Sequence, residues 1–232
     1  MSAATIWVVD LALSERQLDR CAAILDPSER DRAGRFLRPA DRARYLASHA
    51  ALRLILGEET GTAPVGIRLA AGMSGKPALA CAASEPVEFN LSHSGRRALI
   101  GIARGAAVGV DVEAIRPLPD ALRIARAHFA ADEAAGLAAL PPRAIEAAFF
   151  SLWTRKEAVV KALGTGLALP LDRFSVSLPP LPARLLRMAE PGPWTLADIE
   201  AGPGHAATLA LRAPDAAICR RTLPVDWPDR LG

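Results

Sequence analysis

The sequence predicts an α+β fold whose organisation suggests a duplication. Three observations carry that expectation. Runs rich in Val, Ile, Leu and Ala alternate with capped amphipathic stretches along the 232 residues, so strands and helices interleave. A hairpin pattern sits near the middle, with two apolar runs meeting at Ser94-Gly95. The order helix, Gly, Gly, Pro, strand occurs twice: Gly57, Gly61, Pro64 and strand 65–70, then Gly164, Gly166, Pro170 and strand 173–178.

The elements follow in order. Strand 5–11 precedes a helix capped by Ser14, with Gln17 three residues on and an apolar stripe of Leu18, Cys21, Ala22 and Leu25. Asp26-Pro27 opens a short helix to Phe36, with Pro at the tolerated first position. Asp41 caps a helix expected to end at Gly57, and strand 65–70 comes next. Ser74-Gly75-Lys76-Pro77 reads as a turn before a short strand; Pro77 and the missing earlier glycine exclude a Walker loop. The hairpin pairs 87–92 with 97–103, and an apolar strand spans 107–113. A helical stretch passes Phe129 and Asp132-Glu133, and a helix from about Pro142 ends at Gly164. Strands at 194–200, 205–212 and 216–223 are expected to complete the sheet of the second half. The halves divide as 1–105 and 106–232.

Composition limits the functional classes. The chain is 51% hydrophobic but contains no run of 18 apolar residues, so no membrane span is expected. Met1–Thr5 lacks the basic region of a signal peptide. Cys21, Cys81 and Cys219 are scattered and odd in number, which favours a reducing cytoplasm over a disulfide framework. Net charge is only +3, yet Arg30, Arg32, Arg35, Arg38, Arg42, Arg44 and Arg53 crowd the first quarter. Without interleaved aromatics, this pattern suits a phosphorylated small molecule or an acidic partner protein better than nucleic acid.

Three motifs join the Lys76 turn as carriers of chemistry. On the helix Trp153-Thr154-Arg155-Lys156-Glu157-Ala158-Val159-Val160-Lys161, Trp153, Glu157 and Lys161 share one face. Lys occurs only at 76, 156 and 161 among 28 cationic residues, and an ammonium does not substitute freely for a guanidinium at a reacting centre. An exposed helix with an ion pair is the competing reading of this face, and Lys156 is open between a ligand contact and a solvated neighbour. Asp111 and Glu113 interrupt strand 107–113, point to one side and lie about 6.6 Å apart at their Cα atoms, which can bracket Mg²⁺. A strand end entering solvent is the alternative there. Glu88-Phe89-Asn90-Leu91-Ser92-His93-Ser94-Gly95 places Asn90 and Ser92 on one face with His93 opposite, so Ser92 and His93 do not form a nucleophile–base pair. Polar tips beside this turn suit an anionic ligand.

In this order, Gly75-Lys76-Pro77, Phe89-Asn90-Leu91-Ser92-His93-Ser94-Gly95, Val108-Gly109-Val110-Asp111-Val112-Glu113 and Trp153-Thr154-x-Lys156-Glu157-Ala158-x-x-Lys161 resemble the 4′-phosphopantetheinyl transferases. The resemblance is to the larger single-chain group typified by the surfactin-synthetase activator, and runs from about Asp26 to about Leu178. It implies two similar α/β halves packed around an active site between them. It further implies that the 4′-phosphopantetheine arm of coenzyme A is transferred to a serine of an apo acyl or peptidyl carrier protein, with release of 3′,5′-ADP. Asp111, Glu113 and Glu157 would hold Mg²⁺, or Mn²⁺. Without a dication, three such carboxylates would repel one another and the substrate. Glu157 would act as base and Lys161 would stabilise the pyrophosphate. Arg44, Lys76, Asn90, Ser92 and His93, with Asp111 and Lys161, would hold coenzyme A; Arg30 and Arg32 match the pattern less closely. The expected protein is a cytoplasmic monomer with no nucleic-acid or membrane partner. A metal-dependent phosphohydrolase or nucleotidyl-transfer enzyme, and a non-catalytic coenzyme A- or carrier-binding module, are the competing classes.

Overall fold

The computed structural model describes residues 3–72, 76–80, 86–189 and 192–231. Ser74, Gly75 and Cys81 of the sequence reading lie outside them. The chain begins with β1 (Ala3–Asp10), α1 (Glu15–Ile24), α2 (Pro27–Gly34), α3 (Pro39–Thr60), β2 (Leu69–Ala71) and β3 (Pro77–Leu79). It continues through β4 (Val87–Ser94), β5 (Arg97–Arg104) and β6 (Val108–Ala114). Helices α4 (Ala121–His128), α5 (Ala131–Ala138) and α6 (Pro142–Leu163) follow, and then β7 (Ser175–Val176), β8 (Leu185–Arg187), β9 (Thr195–Asp198), β10 (His205–Leu211) and β11 (Ala217–Thr222). No helix among the described residues is long and apolar enough to cross a membrane.

Local sequence rules account for most boundaries. Ser14 and Asp26 both close capping boxes, with Gln17 and Glu29 as the reciprocal partners. Several expectations need correction. Helix α3 starts at Pro39, with Arg38 rather than Asp41 at its cap, and runs past Gly57 to a left-handed Gly61. Gly57 is not the stop. A Cβ there would lie 2.6 Å from the Thr62 carbonyl, so this glycine admits the returning loop. The expected strand 65–70 is a 3₁₀ turn, Pro64–Gly66, followed by the short β2. Finally, β11 does not complete the second sheet. It pairs in parallel with β1, from Ala3↔Ala217 to Val8↔Thr222, so the end of the chain returns to the first half.

Two sheets result, ordered β11-β1-β5-β4 and β6-β10-β9. The β1–β5 and β6–β10 pairs are both antiparallel, and each half adds a small two-stranded sheet, β2-β3 or β7-β8. The duplication extends to buried chemistry. Helices α3 and α6 each have 22 residues and end on a left-handed glycine, Gly61 or Gly164. In the first half, the capping Glu29 of α2 binds Arg53 of α3 at 2.7 Å, and Arg53 donates to the Ile67 carbonyl at 3.0 Å. In the second, Glu133 at the start of α5 binds Lys156 of α6 at 2.6 Å, and Lys156 donates to the Phe174 carbonyl at 2.7 Å. Lys156 is therefore neither a ligand contact nor a solvated neighbour. It is fully buried and does in its half what Arg53 does in the other.

The halves meet where β4 lies against β6. Side chains of β4 take the place of a partner strand: the Val110, Val112 and Ala114 N–H groups donate to Asn90 Oδ1, Ser92 Oγ and Ser94 Oγ at 2.9, 3.4 and 3.1 Å. Gly101 of β5 leaves room beneath, since a Cβ there would lie 2.7 Å from Val110.

The Glu29–Arg53 pair gives a pH-dependent prediction. Burial raises the Glu29 pKa, but hydrogen bonds from His49, the Asp26 N–H and Arg53 outweigh it and hold the carboxyl below its usual range. A carboxyl depressed in the folded state adds stability that is present above its unfolded pKa, about 4.3, and is lost as pH falls toward the folded value. Breaking a buried ion pair costs about 3–5 kcal/mol. Glu29→Gln should therefore lower the urea midpoint clearly at neutral pH, and the gap to wild type should narrow on acidification. Urea titrations across that range measure it.

Candidate active site

The acidic residues of β6 and the charged face of α6 are brought together at the seam. Contact between these elements requires Gly109. A Cβ at that position would stand 2.1 Å from the Ala158 carbonyl and 2.3 Å from the Ala162 nitrogen, so any other residue would push α6 away. The helix backbone therefore rests on the strand at Ala158 and Ala162, each one residue beyond Glu157 and Lys161. Lys161 Nζ reaches Asp111 Oδ1 at 2.6 Å and Ser92 Oγ at 3.0 Å, while the Ser92 hydroxyl donates to Asp111 Oδ1 at 2.9 Å. One pleat along, the Ser94 hydroxyl donates to Glu113 at 2.8 Å. The hydroxyls that bind the β6 backbone thus also bind its carboxylates.

Electrostatics at this corner are tense. Asp111 is 4% exposed, and burial lifts its pKa above the usual carboxylate range despite the adjacent Lys161 ammonium. Glu157 is also raised, first by burial and then by the negative charge of Asp111. Asp111 Oδ2 is buried without a hydrogen-bond partner. Among the described residues, no three carboxylate, imidazole or thiol groups already converge as a metal cage. The donor chemistry nevertheless fits a hard dication: a partnerless Asp111 oxygen, a Glu157 carboxyl destabilised by its neighbour, and Glu113 on the same face of β6. Lys161 meanwhile serves as the internal counter-ion.

Two cavities meet at Lys161. One, of about 540 Å³, is lined by Arg32, Tyr45, His49, Asn90, Ser92 and His93, among others. The other, of about 530 Å³, is lined by Ala127, His128, Glu157, Val160, Leu169 and Leu171, among others, and is mainly apolar. Asn90, Ser92, His93 and Lys161 therefore border one space, and Glu157 and Lys161 border the next. His93, on the opposite face of β4 from the seam ladder, has its pKa lowered by burial and then by His49 and Arg44. Arg44 pairs with Asp41 on its own helix. Lys76 lies at the other end of β6, with its ammonium 3.0 Å from the Val108 carbonyl and 3.5 Å from Glu88. Arg30 turns inward to the Leu25 carbonyl, whereas Arg32 lies over the Tyr45 ring at 5.7 Å. Trp153 packs with Phe129 and Phe149 at 6.1 and 5.9 Å, which fixes α6.

Sequence reasoning missed Tyr45, His49, Ser94 and the packing role of Gly109. Tyr45 and His49 carried a usable signal, because an aromatic pair at i, i+4 faces one side of a helix. Their rings stack at 3.9 Å.

The family model described as the 4′-phosphopantetheinyl transferase superfamily matches residues 107–210, and the model for the 4′-phosphopantetheinyl transferase N-terminal region matches residues 12–103. The chain is 34% identical over 207 residues to the 4′-phosphopantetheinyl transferase HetI of Nostoc sp. strain PCC 7120, covering 89% of this chain and 86% of that one. It is 32% identical over 171 residues to the 4′-phosphopantetheinyl transferase Sfp of Bacillus subtilis strain 168, covering 73% and 74%. It is 36% identical over 158 residues to the 4′-phosphopantetheinyl transferase AcpT of Salmonella typhi, covering 65% and 79%. With matches to both halves and a relative of this identity along most of its length, the chain belongs to the 4′-phosphopantetheinyl transferase superfamily.

Proposed function

We propose that this chain transfers the 4′-phosphopantetheine arm of coenzyme A to a serine hydroxyl of an apo acyl or peptidyl carrier protein. One observation carries the reading: Lys161 and its partner Asp111 stand where a cavity rimmed by cationic and imidazole groups meets an apolar one. Coenzyme A has the matching form, a phosphorylated nucleotide at one end and a neutral arm at the other, with the scissile pyrophosphate between them. The nucleotide lies in the cavity of Arg32, Asn90, Ser92 and His93, with Arg44 and Lys76 adding positive charge around it. The arm extends past Glu157 toward Leu169 and Leu171.

The chemistry follows from charge. The serine oxygen forms a bond to the phosphorus that bears the arm, the P–O bond to the inner phosphate breaks, and 3′,5′-ADP carries away the electron pair. Lys161 compensates the charge that gathers on the pyrophosphate oxygens. Glu157, with its raised pKa, accepts the serine proton directly or through a water. Asp111, Glu113 and Glu157 would hold Mg²⁺, or Mn²⁺, which when bound neutralises the pyrophosphate and orients the in-line attack.

Incubation with coenzyme A, Mg²⁺ and an apo-carrier should add the mass of the arm to the carrier serine. Nucleotide turnover that needs no carrier would instead support a hydrolase. Exhaustive chelation should abolish transfer and added Mg²⁺ should restore it; undiminished transfer would remove the metal from the account. Glu157→Gln preserves size and loses basicity, so the rate should fall by roughly 10²–10⁴, with coenzyme A affinity affected less. A near-wild-type rate would remove Glu157 from the mechanism.

Lys161→Arg tests the ammonium itself. The longer and wider guanidinium does not fit where the compact ammonium meets Ser92 and Asp111 without shifting α6 or displacing Glu157 one turn away, and misplacement by 1 Å costs on the order of 10²-fold. Lys76→Arg should lose less and mainly raise the KM for coenzyme A. Equal and small losses in both would reduce these lysines to interchangeable cations.

A further inference from the structure

Both carboxylates of β6 are gripped at one oxygen, and by the same kind of pair. At Asp111, the Ser92 hydroxyl donates to Oδ1 at 2.9 Å and the Lys161 ammonium reaches the same oxygen at 2.6 Å. Oδ2 is left buried without a partner. Two residues along, the Ser94 hydroxyl donates to Glu113 Oε2 at 2.8 Å, and the Arg116 guanidinium pairs with that same oxygen at 3.6 Å. Among the described residues, no hydrogen bond or ion pair engages Glu113 Oε1.

Neither the four motifs nor the transfer chemistry gives Arg116 a role. It lies just past the end of β6, and two elements hold its guanidinium. Nη1 donates to the Ala114 carbonyl at 3.3 Å, and Cζ lies 5.1 Å from the centre of the Phe150 ring on α6. Phe150 precedes Glu157 by seven residues, close to two turns, so both side chains leave the same face of that helix. The cation that grips Glu113 is thus anchored to the helix that carries Glu157.

This grip limits how Glu113 can meet a metal. The single proton of the Ser94 hydroxyl goes to Oε2, while its oxygen accepts from the Ala114 N–H. A dication shared between both Glu113 oxygens would break the Ser94 bond and stand against the guanidinium charge. A dication on Oε1 alone does neither. Ser92 and Lys161 restrict Asp111 in the same way. Mg²⁺ binds through one or two carboxylates and keeps several waters, whereas Ca²⁺ gathers about six to eight oxygens and often takes both from one carboxylate.

We infer that Arg116 determines metal specificity: with Ser94, it restricts Glu113 to one free oxygen and so favours Mg²⁺ over Ca²⁺. Arg116 acts through Glu113 and is a positioning residue. The inference rests on the reading that Asp111, Glu113 and Glu157 hold a dication.

Arg116→Met provides the test. It removes the charge and the donors but keeps an unbranched stem, and the side chain is 58% exposed, so no core cavity opens. Dissociation constants for Mg²⁺ and for Ca²⁺ would be measured by calorimetry on the protein with coenzyme A bound and no carrier, beside coenzyme A alone. Both ions are divalent, so loss of a nearby positive charge changes both affinities together and cancels in their ratio. The preference for Mg²⁺ over Ca²⁺ should fall on the order of tenfold in Arg116→Met, the weight of a group that orients a metal ligand. It should stay near the wild-type value in Arg116→Lys, which keeps the cation. An unchanged ratio in Arg116→Met, or an equal fall in Arg116→Lys, overturns the Arg116 assignment, while metal binding by the wild type leaves the broader reading intact. Failure of the wild type to bind either ion overturns the metal site and this inference with it.

Discussion

The hydrogen bonds between the β4 side chains and the β6 backbone are the interaction on which the rest of the site depends. Neither strand pairs with the other through backbone groups, yet a sheet edge left bare would carry unsatisfied N–H groups into the interior. Asn90, Ser92 and Ser94 accept from three of those groups in alternate register. A hydroxyl has two lone pairs and one proton, and Ser92 uses all three: it accepts from Val112 and Lys161 and donates to Asp111. The seam and the charged corner are thus one network, and a change in how the halves sit would displace the Lys161 ammonium.

The duplicated halves share their structural devices but not their chemistry. Each builds a buried cation–carboxylate clamp between its short capped helix and its long helix. The second half bears Asp111 and Glu113 on the strand beneath its long helix, where Gly109 lets helix and strand backbones touch. The first half supplies the cavity instead, from α2, α3 and β4. The two halves meet at Lys161, the residue that borders both cavities. The return of β11 to β1 adds a covalent path between them, because the last strand crosses from the second half into the first sheet.

Much of this was legible in the sequence, and what was not has physical causes. Strict alternation in 88–95 and 107–113 placed Asn90, Ser92, Asp111 and Glu113 on their faces, and the i, i+4 rule paired Glu157 with Lys161. Helix geometry also held an unused clue about Lys156: one residue from Glu157 is a rotation of about 100°, enough to carry it from the cavity toward α5. The partner of β11 was not legible, because any exposed strand edge satisfies the same local pattern. Gly57 misled because a glycine that admits a neighbouring backbone looks, in sequence, like one that ends a helix. The Glu29–Arg53 clamp joins residues whose proximity depends on the packing of two helices, and no local period reports that.

The central claim is that the seam hydroxyl of Ser92 and the ammonium of Lys161 act as one unit. A double-mutant cycle on kcat/KM for carrier modification tests it most directly, using Ser92→Ala, Lys161→Arg and the pair. If they form one network, the two losses will not multiply: the double variant will be little worse than the poorer single one, a coupling of about 1 kcal/mol or more. Losses that multiply fully would mean that Ser92 serves only the seam, and would contradict the account.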